Sequence, residues 1–373
     1  MFSKLRYGSH ITSNYRFSWC TEALTSIRFQ STFSAASNPG QPSKNVNPRV
    51  FDANQQNKPQ ISRVETVIGK IDINTFRRAA WVPETPLLLQ GFHSLPAINN
   101  WFRNDDGISP VTFSPSMKSY EDMILPYEFT VSRPSSKKPN PENDVLAEYL
   151  KWLRESSEYE DSYLPAFIKA MMQSSDRADI HNSSSSFQQF DAPLSLIMSA
   201  CQFNSTRENS VDRIKRIYVA QSSLSHLPEP LSLDLPTPDI VEHAGKGDIY
   251  SSSIWLGLQP TYTPLHRDPN PNLFCQLVGS KRIRLMTPDR GGDIYAGVRR
   301  ELRSHGSSRF RGAEMMGGRE RELLHRAVWD DETVSEVSLG PGDALFIPTG
   351  WWHSVASNGQ DGELNSSVNW WFR

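Results

Sequence analysis

Hydrophobic and polar positions along the chain predict strands in the second half and helices in the middle. Ser251 to Leu258 places Ile254, Leu256 and Leu258 at a period of two, which predicts a strand. Leu273 to Val278 is a nearly continuous apolar run, and Gly279-Ser280 predicts a two-residue hairpin turn into a strand beginning at Lys281. The run Ala344-Leu345-Phe346-Ile347 lies between Pro341-Gly342 and Gly350, residues suited to tight turns, and reads as a buried strand. Further upstream, Leu146, Leu150 and Leu153, with Tyr149 on an adjoining face, predict a helix capped by Asn143 or Asp144. A second helix is expected over Leu164 to Met172. Organised structure is expected from Ile61, with Val64, Val67, Ile68 and Ile71 as an imperfect apolar stripe and Trp81 to Gly91 as a first strand with its turn. Residues 133–141 read as a surface loop and 173–190, rich in serine, as a mobile polar stretch. There is no internal repeat.

Composition narrows the class. With 373 residues the chain can bury one substantial core, and 26 prolines and 21 glycines suit a loop-rich β protein with helical additions. A formal net charge of −2 supplies no global field for nucleic acid. No apolar run approaches membrane-spanning length, so no membrane is expected. Cysteines stand only at 20, 201 and 275, which excludes a disulfide framework; Cys275 reads as a small buried hydrophobe. Residues 1–30 are basic, rich in Ser and Thr and carry one acid, Glu22; this predicts a mitochondrial targeting segment and a matrix location. Residues 31–60, rich in Ser, Pro, Asn and Gln, read as a flexible linker, leaving 61–373 as the folded domain.

The chemistry concentrates in two distant segments. His266-Arg267-Asp268 puts an imidazole and a carboxylate two residues apart, and on a strand both would face the same side. His353 follows the Gly342 to Trp352 run and would arrive from another strand. Two imidazoles and one carboxylate form the ligand set of a ferrous facial triad, which leaves coordination positions open for a co-substrate and O2. Taken singly, each half has an ordinary explanation, a chance triplet or a satisfied core histidine. Their joint strand-and-turn context favours a metal site.

These segments resemble the JmjC-type 2-oxoglutarate oxygenases. The resemblance rests on Thr263-Pro264-Leu265-His266-Arg267-Asp268, then Asn272, Gln276, Gly279 and Lys281, then Gly342 to His353 and Val368-Asn369-Trp370-Trp371. It is strongest to their cupin-like hydroxylase branch, which includes the asparaginyl hydroxylase that inhibits hypoxia-inducible factor. Weaker similarity reaches Arg216 to Gln221 and Pro86 to Gly91. The resemblance implies a double-stranded β-helix, the jelly-roll or cupin barrel. It implies Fe(II) on His266, Asp268 and His353, with 2-oxoglutarate and O2 as co-substrates. Lys281 would pair with the distal carboxylate, helped by Thr263 and by Tyr218, while Asn272 and Asn369 would line the co-substrate pocket and support its orientation. The implied activity is hydroxylation of a protein side chain, releasing succinate and CO2. The branch's dimerising C-terminal helices would have no counterpart before Arg373, so a monomer is expected. Physical chemistry agrees about Lys281, because a buried dicarboxylate needs a cation. Trp351, Trp352, Trp370 and Trp371 are assigned to core in preference to pocket wall.

Two other readings stay open. One is a cupin enzyme using another metal without 2-oxoglutarate. The other is a silent barrel acting as a binding or assembly module. A further segment, 297–326, carries Arg299, Arg300, Arg303, Arg309, Arg311, Arg319, Arg321 and Arg326 among fewer acids, as an insertion between barrel strands. It is a candidate lid or a surface for an acidic partner or RNA, but a solvated helical excursion with internal ion pairs is the preferred expectation.

Overall fold

The computed structural model describes residues 64–104, 110–132, 141–177, 185–303 and 318–373. The expected targeting segment and linker, and the loop over 133–140, lie outside the described residues. In chain order the strands are β1 (Glu65–Ile68), β2 (Leu87–Gln90), β3 (Phe102–Arg103), β4 (Thr112–Phe113), β5 (Ile124–Ser132), β6 (Ser185–Pro193), β7 (Ile217–Ser223), β8 (Ile249–Leu258), β9 (Tyr262–Arg267), β10 (Asn272–Val278), β11 (Lys281–Met286), β12 (Ser335–Leu339), β13 (Ala344–Ile347), β14 (Trp352–Ser357) and β15 (Leu364–Phe372). The longer helices are α1 (Pro141–Glu155), α2 (Leu164–Arg177), α3 (Ser195–Ser205), α4 (Pro288–Leu302) and α5 (Gly318–Trp329).

Thirteen of these strands form a jelly-roll of two sheets with helical additions, and β3 and β4 pair apart as a two-stranded ribbon. The larger has the order β1-β2-β13-β10-β15-β8-β7-β5-β6 and the smaller β12-β11-β14-β9. Alternation sorts the side chains into layers. On β10, Leu273, Cys275 and Leu277 join Val368, Trp370 and Phe372 of β15 in the core outside the large sheet, which includes α1, α2 and α3. The opposite faces carry Phe274 of β10, Leu345 and Ile347 of β13, Ile283 and Leu285 of β11 and Val355 of β14, which pack together between the sheets. A third cluster covers the outside of the small sheet, where Tyr295 and Val298 of α4 and Leu323, Leu324 and Val328 of α5 meet Leu265, Met286 and Trp352.

Several local expectations are corrected by non-local pairing. Gly279-Ser280 is not a hairpin turn, because β10 belongs to the large sheet and β11 to the small one. It is a crossover, braced by Gln276 Nε2 donating to the Val278 carbonyl (2.8 Å) and Asn365 Nδ2 donating to the Ser280 carbonyl (2.8 Å). Gly279 sits at φ +67, and a Cβ there would lie 2.7 Å from Asn365 Nδ2, so glycine is required. The first helix begins at Pro141, which puts Asn143 and Asp144 inside it instead of at its cap. The second helix continues to Arg177, and β6 starts at Ser185, so the polar stretch 173–190 is partly regular structure. Its serines and glutamines are tolerated because strand identity there depends on pairing with β5. The stripe from Val64 becomes the short β1, parallel to β2, and only Leu87–Gln90 of the expected Trp81 to Gly91 strand is extended.

Candidate metal centre

The three predicted ligands converge where β9 meets β14. His266 pairs directly with His353 across the two strands. A bulge in this ladder sets Thr263 and His266 against Val355 and His353, so β9 residues three apart share the inner face. Asp268 lies one residue beyond β9, not within a continuous strand as the H-x-D spacing suggested. His266 Nε2 stands 3.8 Å from Asp268 Oδ1, and His353 Nε2 stands 3.6 Å from Asp268 Oδ2. All three ligand atoms lie within 4.8 Å of one another. These separations are too long for hydrogen bonds, so the groups converge without satisfying each other.

The orientation of the histidines suits a cation. His266 Nδ1 donates to the Pro264 carbonyl at 2.8 Å, which turns Nε2 toward the carboxylate. His353 is buried, and burial first, then the neighbouring His266, pushes its pKa down to about 4. At neutral pH it is therefore an uncharged imidazole, the form a metal binds. Two imidazoles and a carboxylate fit a divalent first-row metal such as Fe(II).

One cavity joins the triad to the other predicted residues: Thr263, Tyr218, Lys281, Asn272 and Asn369 all line it with the ligands. Lys281 begins β11, points between the sheets and is 1 % exposed. Its ammonium donates to Ser367 Oγ of β15 at 2.7 Å and faces the rings of Phe274 (5.3 Å) and Tyr218 (5.9 Å). Burial pulls its pKa down to about 7, and among the described residues no carboxylate pairs with it. Tyr218 and Thr263 are also buried, and burial raises the Tyr218 phenol. Asn272 and Asn369 sit nearer the triad in their bonding. Asn272 Nδ2 donates to Asp268 Oδ2 (2.8 Å), and Asn369 Nδ2 donates to Asn272 Oδ1 (2.9 Å).

Three residues not singled out from the sequence also serve the site: Trp255 and Phe274 complete the walls, and Ser367 accepts from the Lys281 ammonium. Alternation would have found them: Trp255 lies between the outward Ile254 and Leu256, and Ser367 pairs with it across β8 and β15. The four tryptophans divide. Trp370 and Trp352 are core, Trp371 lines the cavity, and Trp351 donates its indole N–H to the Glu84 carbonyl at 3.0 Å.

The arginine-rich segment belongs to a larger unit, α4 and α5, between β11 and β12. Arg299 pairs with Glu320 at 2.7 Å and Arg319 with Glu301 at 2.8 Å. Arg309 and Arg311 lie outside the described residues. The Trp329 indole of α5 donates to Ser354 Oγ (3.0 Å), which donates to the Thr263 carbonyl (2.8 Å). The helical excursion is thus cross-linked internally and tied to the strands of the site.

The profile of the cupin-like domain matches residues 74–373. The chain is 32% identical over 157 residues to "Lysine-specific demethylase 8" of Danio rerio, covering 42% of this chain and 36% of the relative. It is 31% identical over 165 residues to "Jumonji C domain-containing protein 5" of Drosophila melanogaster, covering 42% and 36%. It is 31% identical over 121 residues to "HSPB1-associated protein 1 homolog" of Danio rerio, covering 32% and 25%. The matches span about a third of the length of these relatives or less.

Proposed function

The chain belongs to the cupin-like domain family, with JmjC relatives, and from that premise we propose that it is an Fe(II)- and 2-oxoglutarate-dependent oxygenase that hydroxylates a protein side chain. The observation that carries this reading is Lys281, a buried cation with no acidic partner among the described residues, in the same cavity as the His266, Asp268 and His353 ligand atoms. A cation in such a place favours an anionic ligand, since a buried unpaired charge is costly. A dicarboxylate with one end on the metal and the other on Lys281 meets that need.

Each side chain then has a task. His266, Asp268 and His353 hold the metal. Lys281, Ser367, Thr263 and Tyr218 receive the distal carboxylate, and Phe274, Val355 and Trp255 keep water from the chain between its ends. Bound iron supplies the oxygen-activating chemistry, in which 2-oxoglutarate, O2 and a C–H bond become succinate, CO2 and a C–OH group. The demethylase names of some relatives favour a second reading, in which the oxidised carbon is an N-methyl group of lysine. A cupin enzyme with another metal has no use for Lys281, and a silent binding barrel has none for an intact triad. The basic segment 1–30 supports a mitochondrial matrix site of action.

The test is anaerobic titration of 2-oxoglutarate into the iron-loaded chain, followed by the visible charge-transfer band of the chelate. A band that is lost in His266→Ala and weakened in Lys281→Ala is expected. Stoichiometric iron without a band would overturn the reading.

A further inference from the structure

Asn369, Asn272 and Asp268 form a hydrogen-bonded series whose direction is forced. A metal-binding carboxylate is deprotonated and only accepts. The group facing Asp268 Oδ2 at 2.8 Å must therefore be the amide nitrogen of Asn272. That orientation turns Asn272 Oδ1 toward Asn369, which must answer with its own nitrogen, at 2.9 Å. The Asn369 oxygen is left as a buried acceptor with no partner among the described residues. Neither amide is free to turn over, because a turned Asn272 would set oxygen against the carboxylate and a turned Asn369 would set oxygen against Asn272 Oδ1. Both residues are buried, 1 % and 3 % exposed, where a mismatched polar contact is expensive.

The backbone pins both ends. Asn272 opens β10 opposite Trp371, and Asn369, on the neighbouring strand β15, pairs with Phe274 of β10. Asp268 has no such support, since it lies past the end of β9. Its carboxylate is thus oriented from the large sheet, across the cavity from the strands that carry the two histidines.

We propose that Asn272 and Asn369 are positioning residues that act through Asp268, holding its carboxylate plane so that one oxygen faces each histidine. This rests on the metal reading above and goes beyond it by giving the amides a role in metal affinity, separate from lining the co-substrate pocket. The relay engages Oδ2, so it restrains rotation of Asp268 while leaving Oδ1 unengaged by the amides. Removing it frees the carboxylate to rotate away from the histidines.

The experiment uses Co(II) alone as the probe, with the full chain and no 2-oxoglutarate. Its dissociation constant, its visible ligand-field bands and the thermal midpoint of the metal-free protein are measured for the wild type, Asn272→Leu and Asn369→Leu. The relay predicts Co(II) binding weakened about tenfold in Asn272→Leu, the scale typical of groups that orient metal ligands, with altered bands. Asn369→Leu should shift both readouts in the same direction by less. If Asn272→Leu does not fold, Asn369→Leu, one bond further from the ligand, decides the matter. Wild-type affinity and bands in the folded variants would overturn the relay alone, whatever their thermal midpoints. Absence of Co(II) binding by the wild type would overturn the metal reading and the relay with it.

Discussion

Lys281 of the small sheet donates a 2.7 Å hydrogen bond to Ser367 of the large sheet, so one buried ammonium spans the interior of the barrel. Its pKa is about 7 against an ordinary 10.5. Between these values the unfolded chain holds a proton that the folded chain releases. Stability without ligand therefore rises as pH increases from 7 to 10.5, and the penalty is fully present below 7. Lys281→Met should abolish this rise and stabilise the metal-free protein at pH 7 by on the order of a few kcal/mol. Urea titrations at pH 7 and pH 10 check it; equal stability of the two proteins at pH 7 would contradict it.

The proposed function makes the same amine a coupler of dicarboxylate binding to protons. An arriving carboxylate favours the charged form, so 2-oxoglutarate binding should take up protons near and above pH 7 and weaken as pH rises. Calorimetry in two buffers of different ionisation enthalpy measures the uptake. No uptake, or affinity independent of pH from 7 to 9, would count against Lys281 as the carboxylate's partner.

His93 ties the segment after β2 to the turn before β13. Its Nε2 meets the Asp343 carbonyl at 3.2 Å, while Asp343 Oδ1 accepts from the Gly91 amide at 2.8 Å. Burial holds its pKa down at about 4. Across pH 6.5 to 4 the unfolded chain takes up a proton that His93 refuses, so stability falls as pH drops through that window. His93→Gln should lose stability less steeply there. Thermal midpoints at pH 6.5, 5.5 and 4.5 decide it, and parallel slopes would argue against the assignment.

Gly291 lets α4 rest on the indole of Trp352. A Cβ at 291 would lie 2.1 Å from the ring, which is itself packed by the helices and stands next to His353. Gly291→Ala should cost about 1–3 kcal/mol by overpacking. A thermal midpoint within a degree of wild type would show that the helix shifts freely.

Arg299 and Glu320 are nearly buried, with side chains 12% and 10% exposed. Arg299→Leu alone should destabilise the fold by about 3 kcal/mol or more, because Glu320 is left unpaired. Adding Glu320→Leu should recover most of the loss. Equal damage in the single and double variants would show that the pair is not the cause. Recovery would also mark α4 and α5 as structure in their own right, a helical excursion held by internal ion pairs.

Read alone, the sequence determined the β character, the strands at Ser251–Leu258, Leu273–Val278 and Ala344–Ile347, and the identity of the three metal-ligand candidates. These depend on alternation, turn residues and short spacings, all of which are local. Tertiary structure decided what depends on pairing between distant residues. It made Gly279-Ser280 a crossover, because β10 bonds to β13 and β15 and leaves β11 to the other sheet. It put Lys281 inside, which the mixed faces of Lys281–Met286 do not reveal, since Arg282 and Arg284 alternate with it toward Trp329. It brought His353 beside His266 through the register of β14 on β9, and Asn369 to Asn272 across β15. Register is set by the summed burial of whole strands, and no short stretch of the chain carries that sum.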